Sequence, residues 1–327
     1  MNKKKIAVVL FQLGGPDSLD SVQPFLYNLF CDPDIIDLPG AFLFRKPLAR
    51  FISTRRAPKV QELYKRIGAK SPILKQTQLQ AESLKSALDK LGIGADVHIA
   101  MRYWHPMTDE VVKKLLNSQT NEVVLLPLYP HYSRATTGSS FNEWKRVTQR
   151  LRYNGVTTKF VESYCDHPLY IEAMVEHVNL ALVRLPKKEQ EKVHLVFSAH
   201  GIPVSFVKDG DPYPDHIQRS YELIAEKGAW ELPHHLCFQS KVGPQKWLEP
   251  SLTKTIEELA AQKISHLVVI PISFVTDHIE TLSEINIEAR EEAKELGIQN
   301  FEMMPALIRN KKFIDCLADL VVKRLEN

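Results

Sequence analysis

Short runs of nearly uninterrupted apolar residues punctuate this chain at 6–11, 123–128, 193–197 and 267–272. Each is too short for a buried helix and is rich in valine, isoleucine and leucine, so each is read as a strand covered on both faces. Between them, apolar residues recur at three- and four-residue spacing over 79–91, 109–116, 251–261 and 284–296. That period predicts amphipathic helices. Buried strands alternating with such helices predict an α/β fold built on parallel sheet.

The order of pieces repeats along the chain. Asn121-Glu-Val-Val-Leu-Leu-Pro127-Leu-Tyr129 is echoed by Ser265-His-Leu-Val-Val-Ile-Pro271-Ile-Ser273, and Phe11-Gln-Leu-Gly-Gly-Pro16 by Phe197-Ser-Ala-His-Gly-Ile-Pro203. The expected architecture is two similar doubly wound, Rossmann-like parallel-sheet domains with a cleft between them. The first is expected over 1–165 together with a C-terminal helix from 305–327, and the second over 166–304. Ligands of open α/β sheets bind beyond the carboxyl ends of strands, which directs attention to the turns after these four runs.

Composition narrows the function classes. At 327 residues the chain is long for one hydrophobic core, which agrees with two domains. Its 44% hydrophobic and 25% charged residues are those of a soluble globular protein. A net charge of +3, with no dense basic stripe, argues against nucleic acid as the main partner. Cys31, Cys165, Cys237 and Cys316 stand far apart, which fits a reducing, cytoplasmic setting and neither a disulfide framework nor a structural zinc site. Lys3-Lys4-Lys5 before an apolar run resembles a signal peptide, but the run ends in Gly14-Gly15-Pro16-Asp17 without a small-residue cleavage site, so a first strand is expected.

Two strand ends carry chemistry. The strand at 193–197 opens into Ser198-Ala199-His200-Gly201, and a histidine there either caps its own loop or accepts protons and ligates iron. After the strand at 267–272, Asp277 and His278 lead into Glu280, Glu284 and Glu288, four residues apart on one helical face. Like charges at that spacing cost an isolated helix about 0.2–0.5 kcal/mol per pair. Carboxylates in such a row raise one another's pKa, can pass protons and attract cations, so an acidic ladder with a function is preferred to a solvated face. Elsewhere, 38–46 interleaves apolar and basic residues as a cleft lip, a membrane-surface contact or a packed loop. Thr54-Arg55-Arg56-Ala57-Pro58-Lys59 is either a carboxylate receptor or a solvated basic turn. No phosphate loop is found, which removes the key feature of a nucleotide-binding module.

These segments together resemble the ferrochelatase family over nearly the whole chain. The resemblance is carried by Leu13-Gly14-Gly15-Pro16, Arg55-Arg56-Ala57-Pro58-Lys59, Arg102-Tyr103-Trp104-His105-Pro106, Tyr132-Ser133 with Thr136-Thr137-Gly138-Ser139-Ser140, Phe197-Ser198-Ala199-His200, Gly210-Asp211-Pro212-Tyr213-Pro214, Gln239-Ser240-Lys241-Val242-Gly243-Pro244, and Ser273-Phe274 with Asp277-His278-Ile279-Glu280-Thr281-Leu282. It implies insertion of Fe²⁺ into protoporphyrin IX, the last step of haem formation. His200 and Glu280 are then the catalytic and metal-binding pair, with Glu284 and Glu288 as a proton or metal relay on a helix of π character. Arg56, Lys59, Tyr64 and Ser71 match positions near the substrate propionates. Leu13, Arg102, Trp247, Phe274 and His278 match residues lining the macrocycle pocket.

Two departures refine the expectation. The cysteines do not cluster, and Arg134 stands where a cluster-bearing member places one, so no iron–sulfur cluster and no permanently bound cofactor are expected. Leu13 replaces the tyrosine of members acting on coproporphyrin, which favours protoporphyrin IX. A monomer or weak dimer, cytoplasmic with a peripheral membrane contact, completes the expectation. The rivals are a coproporphyrin ferrochelatase, a cobalt chelatase of corrin synthesis and a non-catalytic porphyrin or haem carrier.

Overall fold

The structure, a computed structural model, describes residues 5–35, 41–241 and 245–326, with the side chains of 41–43 outside that description. Lys3, Lys4, Leu38-Pro39-Gly40 and the side chains of 41–43 from the expected lip at 38–46, and Val242-Gly243-Pro244 therefore fall outside it. The chain divides into two compact units, Met1–Ser163 with Ile314–Asn327, and Tyr164–Phe313.

The first unit runs β1 (Ile6–Gln12), α1 (Val22–Phe30), α2 (Ala41–Arg66), α3 (Ile73–Lys90), β2 (Ala95–Met101), α4 (Thr108–Ser118), β3 (Glu122–Pro127), a π-helical turn (Arg134–Gly138) continuing as α5 (Ser139–Arg150), and β4 (Thr157–Phe160). The second runs α6 (Pro168–Leu182), β5 (His194–His200), α7 (Val204–Lys208), α8 (Tyr213–Gly228), β6 (His234–Gln239), α9 (Leu252–Ala261), β7 (His266–Pro271), a π-helix (Glu280–Ala289) continuing as α10 (Arg290–Glu295), and β8 (Asn300–Met303). The last helix, α11 (Lys311–Glu326), is tied to the first unit by Lys159 Nζ, which donates to Leu325 O at 3.2 Å.

The internal repeat is real in three dimensions. Both sheets are four-stranded and parallel, ordered β2-β1-β3-β4 and β6-β5-β7-β8, so each runs second-first-third-fourth. The four apolar runs are the two central strands of each sheet. Val8, Val9 and Leu10 of β1 and Val196 and Phe197 of β5 are wholly buried, as a strand roofed by helices on both faces requires. Two sequence expectations need correction. The Thr54–Lys59 segment is no turn but lies inside α2, whose 26 residues include Pro47 and Pro58. The stretch from 284 is not the regular amphipathic helix its spacing predicts: the ladder starts at Glu280 in a wider π-helical coil, the π character that the family resemblance implied, and becomes α-helical only at Arg290. Among the described residues no helix is long and apolar enough to cross a membrane.

Candidate active site

The carboxyl ends of β5 and β7 bring the chemistry of the second unit together. His200 is the last residue of β5, and its backbone is gripped from two sides: its N–H donates to Ser273 Oγ at 3.0 Å, and its carbonyl accepts from the Tyr213 hydroxyl at 2.9 Å. Gly201 follows because an added Cβ would lie 2.9 Å from Gln239 O and 3.3 Å from the Trp247 ring. The imidazole is about one-third exposed, between the rings of Phe274 at 6.3 Å and Trp247 at 6.5 Å.

Glu280, at the first position of the π-helix, faces this imidazole. Its Oε1 lies 3.6 Å from His200 Nε2, and its Oε2 lies 3.2 Å from Nε2 of the buried His278. His278 packs edge-on against Phe274, with ring centroids 4.4 Å apart. One turn on, Glu284 is clamped through both oxygens by Ser240, from N–H at 2.6 Å and from Oγ at 2.5 Å. Ser240 reaches it from a left-handed backbone, φ 68°. Glu288 is exposed and accepts from Ser283 Oγ at 2.8 Å. Gln239 completes the floor, donating to Glu280 O and accepting from Ser198 Oγ.

The electrostatics split the carboxylates. Burial pulls the His200 pKa down, but the Glu280 charge overrides it and holds the imidazole at about 9. Burial disfavours the Glu280 charge, yet His200 and His278 outweigh it and keep this carboxyl well below the usual range. Burial moves Glu284 the other way, upward, with repulsion from Glu280 added and the Ser240 bonds opposing. The adjacent acids are pushed in opposite directions: Glu280 stays ionised, and Glu284 takes up a proton more readily than a free carboxylate.

The remaining expected residues lie in the first unit. Arg102 and Leu13 are neighbours at the ends of β2 and β1, where Arg102 N donates to Gln12 O and Tyr103 N to Leu13 O. Gly14, at φ 86°, and Gly15 make the turn after β1, and Ser71 docks on it through its N–H to Pro16 O at 2.8 Å. Of the four residues expected near propionates, Arg56 and Lys59 are exposed on α2, whereas Tyr64 and Ser71 are buried. Arg56 lies over the Phe30 ring at 5.6 Å. Site reasoning from sequence passed over Ser240, Gln239, Tyr213 and Ser273 as site members. The signal was there, since all four fall within the motifs that carried the resemblance.

Two parallel α/β units, one carrying a histidine against paired carboxylates at its strand ends, define a chelatase-like protein. The solved structure of SirB from Bacillus subtilis with Fe³⁺ shares this fold, with a TM-score of 0.55 at 14% identity over 98% of this chain and 95% of that one. The family model Ferrochelatase matches residues 5–325. The ferrochelatase of Citrifermentans bemidjiense is 49% identical, over 97% of this chain and 98% of its own length. That of Geotalea daltonii is 47% identical over 97% of each. The chain belongs to the ferrochelatase family and is an enzyme, a porphyrin metal chelatase of the lyase class.

Proposed function

We propose that this enzyme inserts Fe²⁺ into protoporphyrin IX, releasing two protons, as the terminal step of haem formation. The observation that carries the reading is the His200–Glu280–His278 array, with Glu284 of opposite pKa tendency one turn behind it. Metallation removes two pyrrole protons and admits one dication, so the charge gained at the ring centre equals the charge that must leave. His200, held at about 9 beside Glu280, carries a proton in the resting site. A dication arriving at Glu280 weakens that carboxylate's hold on the proton, turning His200 into a base for the pyrrole N–H. Glu284 and then the exposed Glu288 lead the protons outward.

Trp247, Phe274 and His278 offer a largely aromatic wall against which a macrocycle can be held bent, binding energy from its rim being spent on distortion at its centre. On the first unit, Leu13 and Arg102, at neighbouring strand ends, are assigned to macrocycle contact. Arg56 and Lys59, exposed on α2, and the buried Tyr64 and Ser71 are assigned to the propionates. The enzyme works in the cytoplasm with a peripheral membrane contact through α2. Phe44 and Phe51 are 69% and 65% exposed there, among Arg45, Lys46, Arg50 and Arg55 and ahead of the first acid of the helix, Glu62. Exposed aromatics within a basic stretch suit an anionic bilayer surface.

The deciding experiment is an anaerobic assay of protoporphyrin IX fluorescence with Fe²⁺, run on the wild type and His200→Ala. Turnover by the first and a loss of at least ~100-fold in the second is expected. Wild-type protein that binds the porphyrin without ever metallating it would be a carrier, and the reading would fall.

A further inference from the structure

Four donors converge on the side chain of Asp32. Its Oδ2 accepts from Arg102 Nη2 at 2.9 Å, the Tyr103 hydroxyl at 2.6 Å and the Ser139 hydroxyl at 2.5 Å, and its Oδ1 accepts from the Asp34 N–H at 2.9 Å. The carboxylate is fully enclosed, while Arg102 keeps 11% of its side chain exposed at the end of β2. Burial opposes the charge on Asp32, but Arg102 and the two hydroxyls outweigh it and hold the carboxyl below its usual range. Arg102 in turn gives its Nε to Ser139 Oγ at 2.7 Å, lies over the Tyr103 ring at 5.0 Å and has Glu143 3.9 Å away. The guanidinium at the ligand edge of the first sheet is thus balanced before any ligand arrives.

A ligand carboxylate brought to Arg102 would find Nε held by Ser139, Nη2 held by Asp32, and a guanidinium charge that Asp32 already balances. A carboxylate there would lose its hydration with no net positive charge to offset the cost, and such an uncompensated cost is an effective way to refuse a near-cognate ligand. An apolar rim substituent meets no such penalty. We propose that Asp32 is a specificity-determining residue: by cancelling the charge of Arg102 it makes this edge accept a ring side bearing vinyl groups and reject one bearing additional propionates. The assignment rests on the porphyrin reading above and adds a residue to it.

The test compares kcat/KM for Fe²⁺ insertion into protoporphyrin IX and coproporphyrin III in the full chain. Asp32→Asn keeps the shape, and the Tyr103 and Ser139 hydroxyls can turn to accept from the new amide. It uncovers the Arg102 charge and is expected to move the ratio about tenfold toward coproporphyrin, which is about 1.4 kcal/mol. Asp34→Asn removes the same charge two residues away, where the carboxylate pairs with Arg146 at 3.5 Å, and should leave the ratio within about twofold. The double variant Asp32→Asn, Arg102→Gln is neutral again and should return to the wild-type ratio. An unshifted ratio in Asp32→Asn, or an equal shift in Asp34→Asn, overturns the assignment. Should Asp32→Asn fail to fold, the double variant Asp32→Asn, Arg102→Lys decides, because it keeps a cation without its buried partner: a shift toward coproporphyrin supports the assignment, and the wild-type ratio refutes it. Fluorescence titration of each porphyrin without iron separates the two layers. A wild type that neither binds nor metallates either porphyrin sinks the function itself, whereas binding and turnover with unshifted ratios sink only the role of Asp32.

Discussion

Glu280→Gln keeps the shape of the side chain and deletes its charge. In the native site burial lowers the His200 pKa and Glu280, 3.6 Å away, lifts it to about 9. With an amide at 280, burial is opposed chiefly by the more distant Glu284, and the midpoint should fall to the ordinary value of about 6.5 or lower. A drop of ~2.5 units corresponds to ~3.4 kcal/mol of differential interaction. Because a third of the imidazole is exposed, solvent screening reduces what reaches folding stability to roughly 1–2 kcal/mol. The folded-state pKa of His200 is raised, so its contribution is complete below about 6.5 and is lost as pH climbs toward 9. Wild-type stability should therefore fall with pH across that window, and the fall should vanish in the variant. Glu280, depressed in the folded state, contributes above its unfolded pKa, and its share disappears as the solution is acidified. The assay is NMR titration of the His200 ring, assigned by difference from His200→Ala, with unfolding followed at each pH. A wild-type midpoint near 6.5, or a variant still titrating near 9, would refute the coupling. The same variant should bind porphyrin and lose turnover.

Ser240→Ala removes one of the two bonds clamping Glu284 and leaves the backbone N–H in place. A bond to a charged group is worth about 1.5–3 kcal/mol, so the already raised Glu284 pKa should rise by a further ~1 unit. The acid limb of the kcat profile should then move to higher pH, and an unchanged profile would remove Glu284 from the proton path. Gly15→Ala places a methyl 2.6 Å from Ser71 Cβ and Oγ, which should cost about 1–3 kcal/mol by overpacking. Denaturant unfolding should show the loss and its recovery in the double variant with Ser71→Gly; stability equal to wild type would mean the turn yields.

What could be read along the chain was whatever depends on local pattern. The central strands β1, β3, β5 and β7 are buried on both faces, so their apolar runs are unbroken and visible. The outer strands escaped. Ala95-Asp-Val-His-Ile-Ala-Met101 and His234-His-Leu-Cys-Phe-Gln239 lie at sheet edges, where polar side chains interrupt the run and pairing with a neighbour, not composition, makes the strand. His200 and the 280–288 ladder were legible because strand ends advertise themselves, and Glu280, Glu284 and Glu288 share a spacing.

Partnerships were decided only by folding. Nothing local says that Ser240, in a left-handed turn, would clamp Glu284 44 residues away, or that Asp32 would lie enclosed against Arg102 and Ser139. Nor does the spacing of three glutamates say which is ionised. Against the upward pull of burial, the two histidines beside Glu280 push it down, while burial and repulsion push Glu284 up. Residue type and spacing are properties of the chain, but pKa and charge balance belong to the low-dielectric surroundings that distant segments build together.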